Sequence, residues 1–347
     1  MSAKNKVLVY ECISAGGLAT TAGDIVAPDP GLLAQGVAMR DALLADLQQL
    51  DDVAMSCVTT RHAPLPASFA RVRAIVADAD RPTVPAADLL AREARRHDRV
   101  WVIAPEGDGL LADLALAVAP ERWIGCTLPA IRVAASKTAT RERLAAHGIH
   151  VPAAWSPGRP EPEPGGQWVV KPDDGAGSER IRVHPDFARA RNDLLARRAQ
   201  RLASTAEAWI DGVPLSLSLR CAERRAELLS INRQRIAVDA DGALAYRGVD
   251  VGVAPLASPA GQALAALAQR IAAAIPGLAG YVGVDLVWQP AAANESDDLA
   301  GDGEATVIEV NPRLTCAYVG LSAALGRNVA AEILRAHQPE PIALVEH

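Results

Sequence analysis

Aromatic residues are scarce: two Phe, four Tyr and six Trp make up 3% of the 347 residues. The apolar half of the chain therefore rests on Ala with Val, Ile and Leu, a composition suited to Ala-rich helices on short aliphatic strands. Long apolar runs are missing as well. No stretch reaches the roughly 18 residues that a membrane span requires. Lys4 and Lys6 precede the apolar run Val7 to Tyr10, but Glu11 cuts that run too short for a leader's apolar core. There is no C-x-x-C pair among Cys12, Cys57, Cys126, Cys221 and Cys316. That spacing argues against a zinc site or a disulfide framework and for reduced thiols in the cytoplasm. A basic surplus is lacking too. The net charge is −6, so a nucleic-acid partner is not expected, and no long acidic tail suggests disorder.

What is present is an alternation of strands and helices. Val7 to Tyr10, Val53 to Val58, Val72 to Val76 and Val100 to Ile103 read as strands. Pro30 to Leu50 and Ala86 to Arg96 read as helices among them. That order predicts a parallel-sheet α/β domain over residues 1–125. A helix over Lys137 to His147 follows, ended by Gly148. Pro157 to Gly166 reads as an exposed loop. Trp168 to Lys171 pairs with Ile181 to Val183 as a hairpin, and Phe187 to Leu202 is an Arg-rich helix with a solvated face. Residues 126–205 form a small lobe on this reading, and residues 206–340 a larger one. The larger lobe has strands at Ala206 to Ile210, Leu215 to Cys221, Glu227 to Asn232, Tyr281 to Trp288 and Thr306 to Asn311, and a helix at Pro259 to Ile275. Gln289 to Ala305 reads as a mobile hairpin loop.

The chemistry concentrates near the C-terminus. In Val307-Ile308-Glu309-Val310-Asn311-Pro312-Arg313, strand alternation points Glu309 and Asn311 one way, with Ile308 and Val310 facing the core. A carboxylate and an amide two residues apart are hard oxygen donors for a metal ion. Gly283-Val284-Asp285-Leu286-Val287 offers a further acid. If the two strands pair antiparallel, Asp285 lies beside Glu309. Two strand-edge acids facing water is the competing reading. Arg313, just beyond, is placed to neutralise a transferring phosphoryl group.

Lys171 ends an apolar strand, followed by Pro172-Asp173-Asp174-Gly175-Ala176-Gly177-Ser178. Such a turn leaves backbone N–H groups for phosphate oxygens, although an ordinary hairpin turn with an exposed lysine looks the same. Neither a P-loop nor a Rossmann glycine pattern is present. Lys137 stands at a helix N-terminus with Ser136 as cap. A cation there opposes the helix dipole unless an anion is close, and a bound phosphate would serve; a solvated lysine is the plain alternative. Ala206-Glu207-Ala208-Trp209-Ile210-Asp211-Gly212 suits an adenine pocket or any edge strand.

In this order, across Leu128 to Ala330, these segments resemble the ATP-grasp superfamily. The resemblance implies an ATP-grasp fold, α/β with α+β lobes behind the N-terminal parallel-sheet domain. It implies ATP as cofactor, with phosphates on Lys137 and Lys171 under the glycine-rich loop of Gly175, Gly177 and Ser178. Adenine would lie at Glu207, Trp209 and Ile210. Asp285, Glu309 and Asn311 would hold Mg2+ (or Mn2+). It further implies ligation of a small-molecule carboxylate to an amine through an acyl phosphate, with a homodimer left open. Two departures stand out. Val213-Pro214 replaces the ribose-binding acid that many members carry after the hinge glycine. Gly283 stands where some members have an arginine, a role for which Arg313 is the candidate.

A narrower resemblance rests on Glu11 with Ser14-Ala15-Gly16-Gly17, on Ala104-Pro105-Glu106-Gly107-Asp108-Gly109, on Leu229-Ser230-Ile231-Asn232-Arg233-Gln234 and on Asn311-Pro312-Arg313-Leu314-Thr315. These segments look like the methanofuran and methylofuran biosynthesis group whose activity is tyramine–L-glutamate ligation. It implies substrate contacts at Glu11, Gly16, Gly17, Asn232 and Gln234. A tight turn after the first strand accounts for Gly16 and Gly17 equally well. A ligase for another amino acid or peptide pair, and a non-catalytic nucleotide-binding protein, are the rival functions.

Overall fold

A computed structural model describes residues 4–17, 29–77, 85–163, 165–175, 180–291, 299 and 301–337. Five parallel strands form the N-terminal sheet: β1 (Asn5–Glu11), β2 (Val53–Thr59), β3 (Arg73–Val76), β4 (Arg99–Ile103) and β5 (Trp123–Ile124), in the order β3-β2-β1-β4-β5. Val7 to Tyr10 are wholly buried, as expected for a central parallel strand covered on both faces. Helix α1 (Pro30–Gln48) starts where Asp29 accepts from the N–H groups of Gly31 and Leu32, and it buries Leu43, Leu44 and Leu47. Helices α2 (Ala86–Ala94), α3 (Leu110–Leu116) and α4 (Leu128–Ala135) complete this part. The strand order reverses between β1 and β4. In open parallel sheets a ligand crevice lies outside the carboxyl ends of the strands at such a reversal. Here Glu11 ends β1, and Ala104 to Gly109 follow β4.

Helix α5 (Lys137–Ala146) leads into a four-stranded sheet of β6 (Ala154–Trp155), β7 (Trp168–Pro172), β8 (Arg182–His184) and β9 (Ser204–Ala208), ordered β6-β9-β7-β8 and backed by α6 (Phe187–Ala199). Trp155, Trp168 and Phe187 pack edge to face beneath it. The third sheet is antiparallel, ordered β12-β11-β10-β13-β14. Its strands are β10 (Val213–Ala222), β11 (Arg225–Val238), β12 (Leu244–Asp250), β13 (Gly280–Pro290) and β14 (Gly303–Asn311), with α7 (Pro259–Ala274) packed on β11. Short helices α8 (Leu321–Leu325) and α9 (Val329–Ala336) follow. The β11–β12 turn reaches the small sheet, where Val183 N–H donates to the Gly242 carbonyl (2.8 Å). Among the described residues no helix is long and apolar enough to cross a membrane.

Three expectations change. Trp209 and Ile210 lie past the end of β9, in the connection to β10, so the hinge strand ends two residues early. Strand β12 escaped the sequence reading because none of its residues is fully buried and Gly248 interrupts it. Ile308 does not face the core. The β13–β14 register runs Asp285 opposite Glu309 and then Leu286 opposite Val307, leaving Ile308 as a bulge. Val307 takes the core position and Ile308 lines a cleft. Residues 292–298 and 300 of the 289–305 loop lie outside the described residues, and β13 and β14 extend into both of its ends.

Candidate active site

A cleft of about 1480 Å³ runs between the three sheets. Directly paired residues of neighbouring strands share a face. Asn232, Ser216, Asp285 and Glu309 therefore form one row across β11, β10, β13 and β14. Asp285 and Glu309 lie side by side on the cleft floor, as the hairpin argument requires. Asn311 Nδ2 donates to Asp285 Oδ2 (3.2 Å), and Gln234 Nε2 donates to Oδ1 (3.0 Å). Burial, and then the adjacent Glu309, push the Asp285 carboxyl up to about 7.

Lys137 opens α5, where the capping Ser136 side chain accepts from Ala139 N–H. Its ammonium is 3.1 Å from Glu309 Oε1 and donates to the Gly175 carbonyl (3.0 Å). The anion that a cation at a helix N-terminus calls for is thus Glu309. Burial works to lower the Lys137 pKa, but Glu309 outweighs it and the net shift is upward. Asp173 ties this helix to the turn after β7, accepting from Thr138 N–H (2.9 Å) and from Ser136 Oγ (2.7 Å). On β7, Lys171 lies 2.7 Å from Glu207 Oε2, and Arg141 of α5 lies 3.3 Å from Oε1. Both members of the Lys171–Glu207 pair are buried. Trp209 and Ile210 line the cleft beside them. Gly212 has φ +150°, and a Cβ there would stand 2.6 Å from the Trp288 carbonyl oxygen, so this bend takes glycine only.

Arg313 lies beyond β14. Its Nη2 donates to Glu106 Oε2 (3.0 Å), Nε is 2.9 Å from Glu106 Oε1, and Nη1 donates to the Leu314 carbonyl (3.1 Å). Glu106 is buried, and sequence reasoning gave it no role. No pattern signals the contact, because its partner lies 207 positions away. Gly283 leaves no room for the arginine that some relatives carry. A Cβ there would meet Thr315 Cγ2 at 2.6 Å.

The other sequence candidates divide. Glu11 and Gly17 line the cleft. The Glu11 carboxylate accepts from Ser14 N–H (2.7 Å) and Ile13 N–H (3.1 Å), and burial raises its pKa against those bonds. Gln234 reaches the site through Asp285. Asn232 is wholly buried on the same face, and its amide is taken up by Ser216, Ser218 and Ser230, so it braces the sheet and does not line the cleft. Gly16 (φ +77°) makes the turn after β1 and does not line the cleft. Gly177 and Ser178 lie outside the described residues.

Among the described residues no cluster of three or more His, Cys, Asp or Glu gathers as a metal site. The donor set at hand is two carboxylates and one amide. All are hard oxygen donors, and the Asp285 carboxyl is raised by burial and then by the adjacent Glu309. That set fits a hard divalent cation such as Mg2+. The folded chain holds the Asp285 proton more tightly than the unfolded chain does. The resulting stability is full below about pH 4 and is lost as pH rises through about 7. The metal-free protein is therefore expected to lose several degrees of Tm from about pH 5 to about pH 8, and Mg2+ to recover part of that loss. Thermal melts across that range check this; a flat metal-free profile would contradict the crowded pair.

The model of the ATP-grasp domain matches residues 134–317, and that of the pre ATP-grasp 3 domain matches residues 55–131. Among solved structures, a protein from Archaeoglobus fulgidus described as an ATP-grasp superfamily member aligns with a TM-score of 0.64 at 22% identity, covering 96% of this chain and 88% of that one. The L-amino acid ligase from Bacillus licheniformis aligns with a TM-score of 0.61 at 16% identity, covering 98% and 75%. The biotin carboxylase domain of the Hydrogenobacter thermophilus 2-oxoglutarate carboxylase, in complex with MgADP, ADP and bicarbonate, aligns with a TM-score of 0.65 at 14% identity, covering 99% and 71%. No curated protein sequence matches the chain.

Proposed function

The chain belongs to the ATP-grasp family, and from that premise we propose that it joins a carboxylate to an amine at the expense of ATP, through an acyl phosphate. The observation that carries this reading is the Asp285–Glu309 pair, set in one cleft with Lys137, Lys171 and Arg313. ATP with Mg2+, when bound, would supply the phosphoryl group and a divalent charge beside the two carboxylates. The chain's own part is positioning and neutralisation. Asp285, Glu309 and Asn311 hold the cation. Lys137 and Lys171 hold phosphate oxygens, with Gly175 beside Lys137. Glu207, Trp209 and Ile210 border the adenine. Arg313 faces the charge that builds on the transferring group and on the tetrahedral acyl centre.

The solved L-amino acid ligase supports an amino-acid substrate by its likeness in fold. The end of the cleft under the N-terminal sheet supports an amine with an apolar body. There Glu11 lines the cleft together with Ile13, Leu32 and Met39, a lining that suits an ammonium on an apolar frame. We take glutamate and tyramine, as in furan cofactor biosynthesis, as the first pair to test, with the enzyme working in the cytoplasm. Purified protein with ATP, Mg2+ and a panel of carboxylates and amines is expected to form ADP and phosphate only when both partners are present. Activity with a different amino acid pair would keep the ligase and replace the substrates. ATP binding with no ADP from any pair would leave a nucleotide-binding protein instead.

A further inference from the structure

The turn after β4 belongs to the N-terminal sheet, yet three consecutive residues of it touch groups of the ATP-grasp domain. Glu106 Oε2 accepts a hydrogen bond from Arg313 Nη2 (3.0 Å), and Oε1 forms an ion pair with Nε at 2.9 Å. Gly107 lies so close to Gly175 that a Cβ would come within 3.2 Å of its Cα. Asp108, held in a left-handed conformation (φ 53°), donates its N–H to Asp174 Oδ2 (3.0 Å). Left-handed backbone at a non-glycine residue is strained and persists where surrounding contacts impose it.

A guanidinium carries five N–H donors in a rigid fork. Glu106 takes one donor of Nη2 and the Leu314 carbonyl one donor of Nη1, which leaves a second donor on each of these nitrogens. A free arginine side chain gives up rotamer freedom when fixed; here that cost is met before substrate arrives. A buried ion pair is poor glue between domains, because desolvation cancels most of its attraction. Its position at the phosphoryl end of the cleft is therefore the more informative fact. We propose that Glu106 is a positioning residue for phosphoryl transfer, acting through Arg313, and that the 106–108 turn of the N-terminal sheet completes the ATP-grasp site. This rests on the ligase reading above.

The test compares wild type, Glu106→Gln, Glu106→Asp, Arg313→Ala and the Glu106→Gln/Arg313→Ala double variant for kcat, KM for ATP and Tm. Glu106→Gln is expected to lower kcat roughly 10- to 100-fold with KM for ATP within about threefold. Glu106→Asp, which keeps the charge, is expected to recover part of that loss. Arg313→Ala is expected to lower kcat roughly 100- to 1000-fold. The double variant should be no slower than Arg313→Ala, because Glu106 has no other route to the reaction. A double variant slower by the product of the single effects, an unchanged kcat in Glu106→Gln, or a kcat that falls only in step with Tm would each overturn the proposal. Wild-type protein that forms no ADP would instead sink the ligase reading on which it depends.

Discussion

Glu309→Gln is expected to lower turnover by at least about a thousandfold while leaving the fold intact. The substitution keeps the side chain's length and removes one of two acids that face each other across β13 and β14. Its effect on stability is a balance. Asp285 is relieved of the neighbour that, after burial, does most to raise its carboxyl, and Lys137 loses its ion-pair partner at 3.1 Å. These changes oppose each other, so Tm should move by only a few degrees. A cation held by Asp285 and Asn311 alone would be weakly bound and poorly placed, so excess Mg2+ should restore little. Steady-state ADP formation beside a thermal melt separates the effects. Wild-type turnover in this variant would remove Glu309 from the site, and lost turnover with a collapsed Tm would make its role structural.

Lys171→Ala is expected to weaken ATP binding roughly 10- to 100-fold, the worth of one charge-assisted contact to a phosphate. It also carries a stability cost that must be separated from binding. Lys171 is one of two cations on Glu207, and its loss leaves a buried carboxylate with Arg141 alone at 3.3 Å. Breaking a buried pair costs roughly 3–5 kcal/mol when nothing remains; Arg141 should hold the loss below that. The Lys171→Ala/Glu207→Gln double variant removes the stranded charge, and its Tm should recover. If Lys171 binds phosphate, affinity measured by calorimetry stays weak in the double variant. If affinity recovers with Tm, the lysine serves only to neutralise Glu207.

The carboxylate pair at the heart of the site was legible because it obeys local rules. Two apolar strands each carry a single acid, a short polar stretch joins them, and antiparallel pairing leaves few registers. Asp285 opposite Glu309 follows from that pattern. The bulge at Ile308 does not, because it depends on whether Val307 or Ile308 fits the core under β14, which is a matter of packing. Strand β12 was hidden for a similar reason. It covers the cleft without burying an alternating face, so period-two patterning is absent. Lys137 could be placed at a helix start from its Ser136 cap, but the anion beside it comes from β14, far along the chain. Glu106 was visible as part of a motif and silent as to role. A buried acid reads from sequence like any loop acid until the fold brings Arg313 to it. Asn232 shows the opposite failure. A polar residue in a suggestive motif proved to brace three serines on the sheet, outside the cleft lining.

The claim beneath all of this is that Asp285, Glu309 and Asn311 together hold one divalent cation against a nucleotide. Water-proton relaxation with Mn2+ and ATP measures it without requiring the right substrates. Wild-type protein should enhance relaxation strongly when ATP is present, and Asp285→Asn and Glu309→Gln should each abolish most of that enhancement while remaining folded. Equal enhancement in wild type and in both variants would place the cation elsewhere and contradict the account.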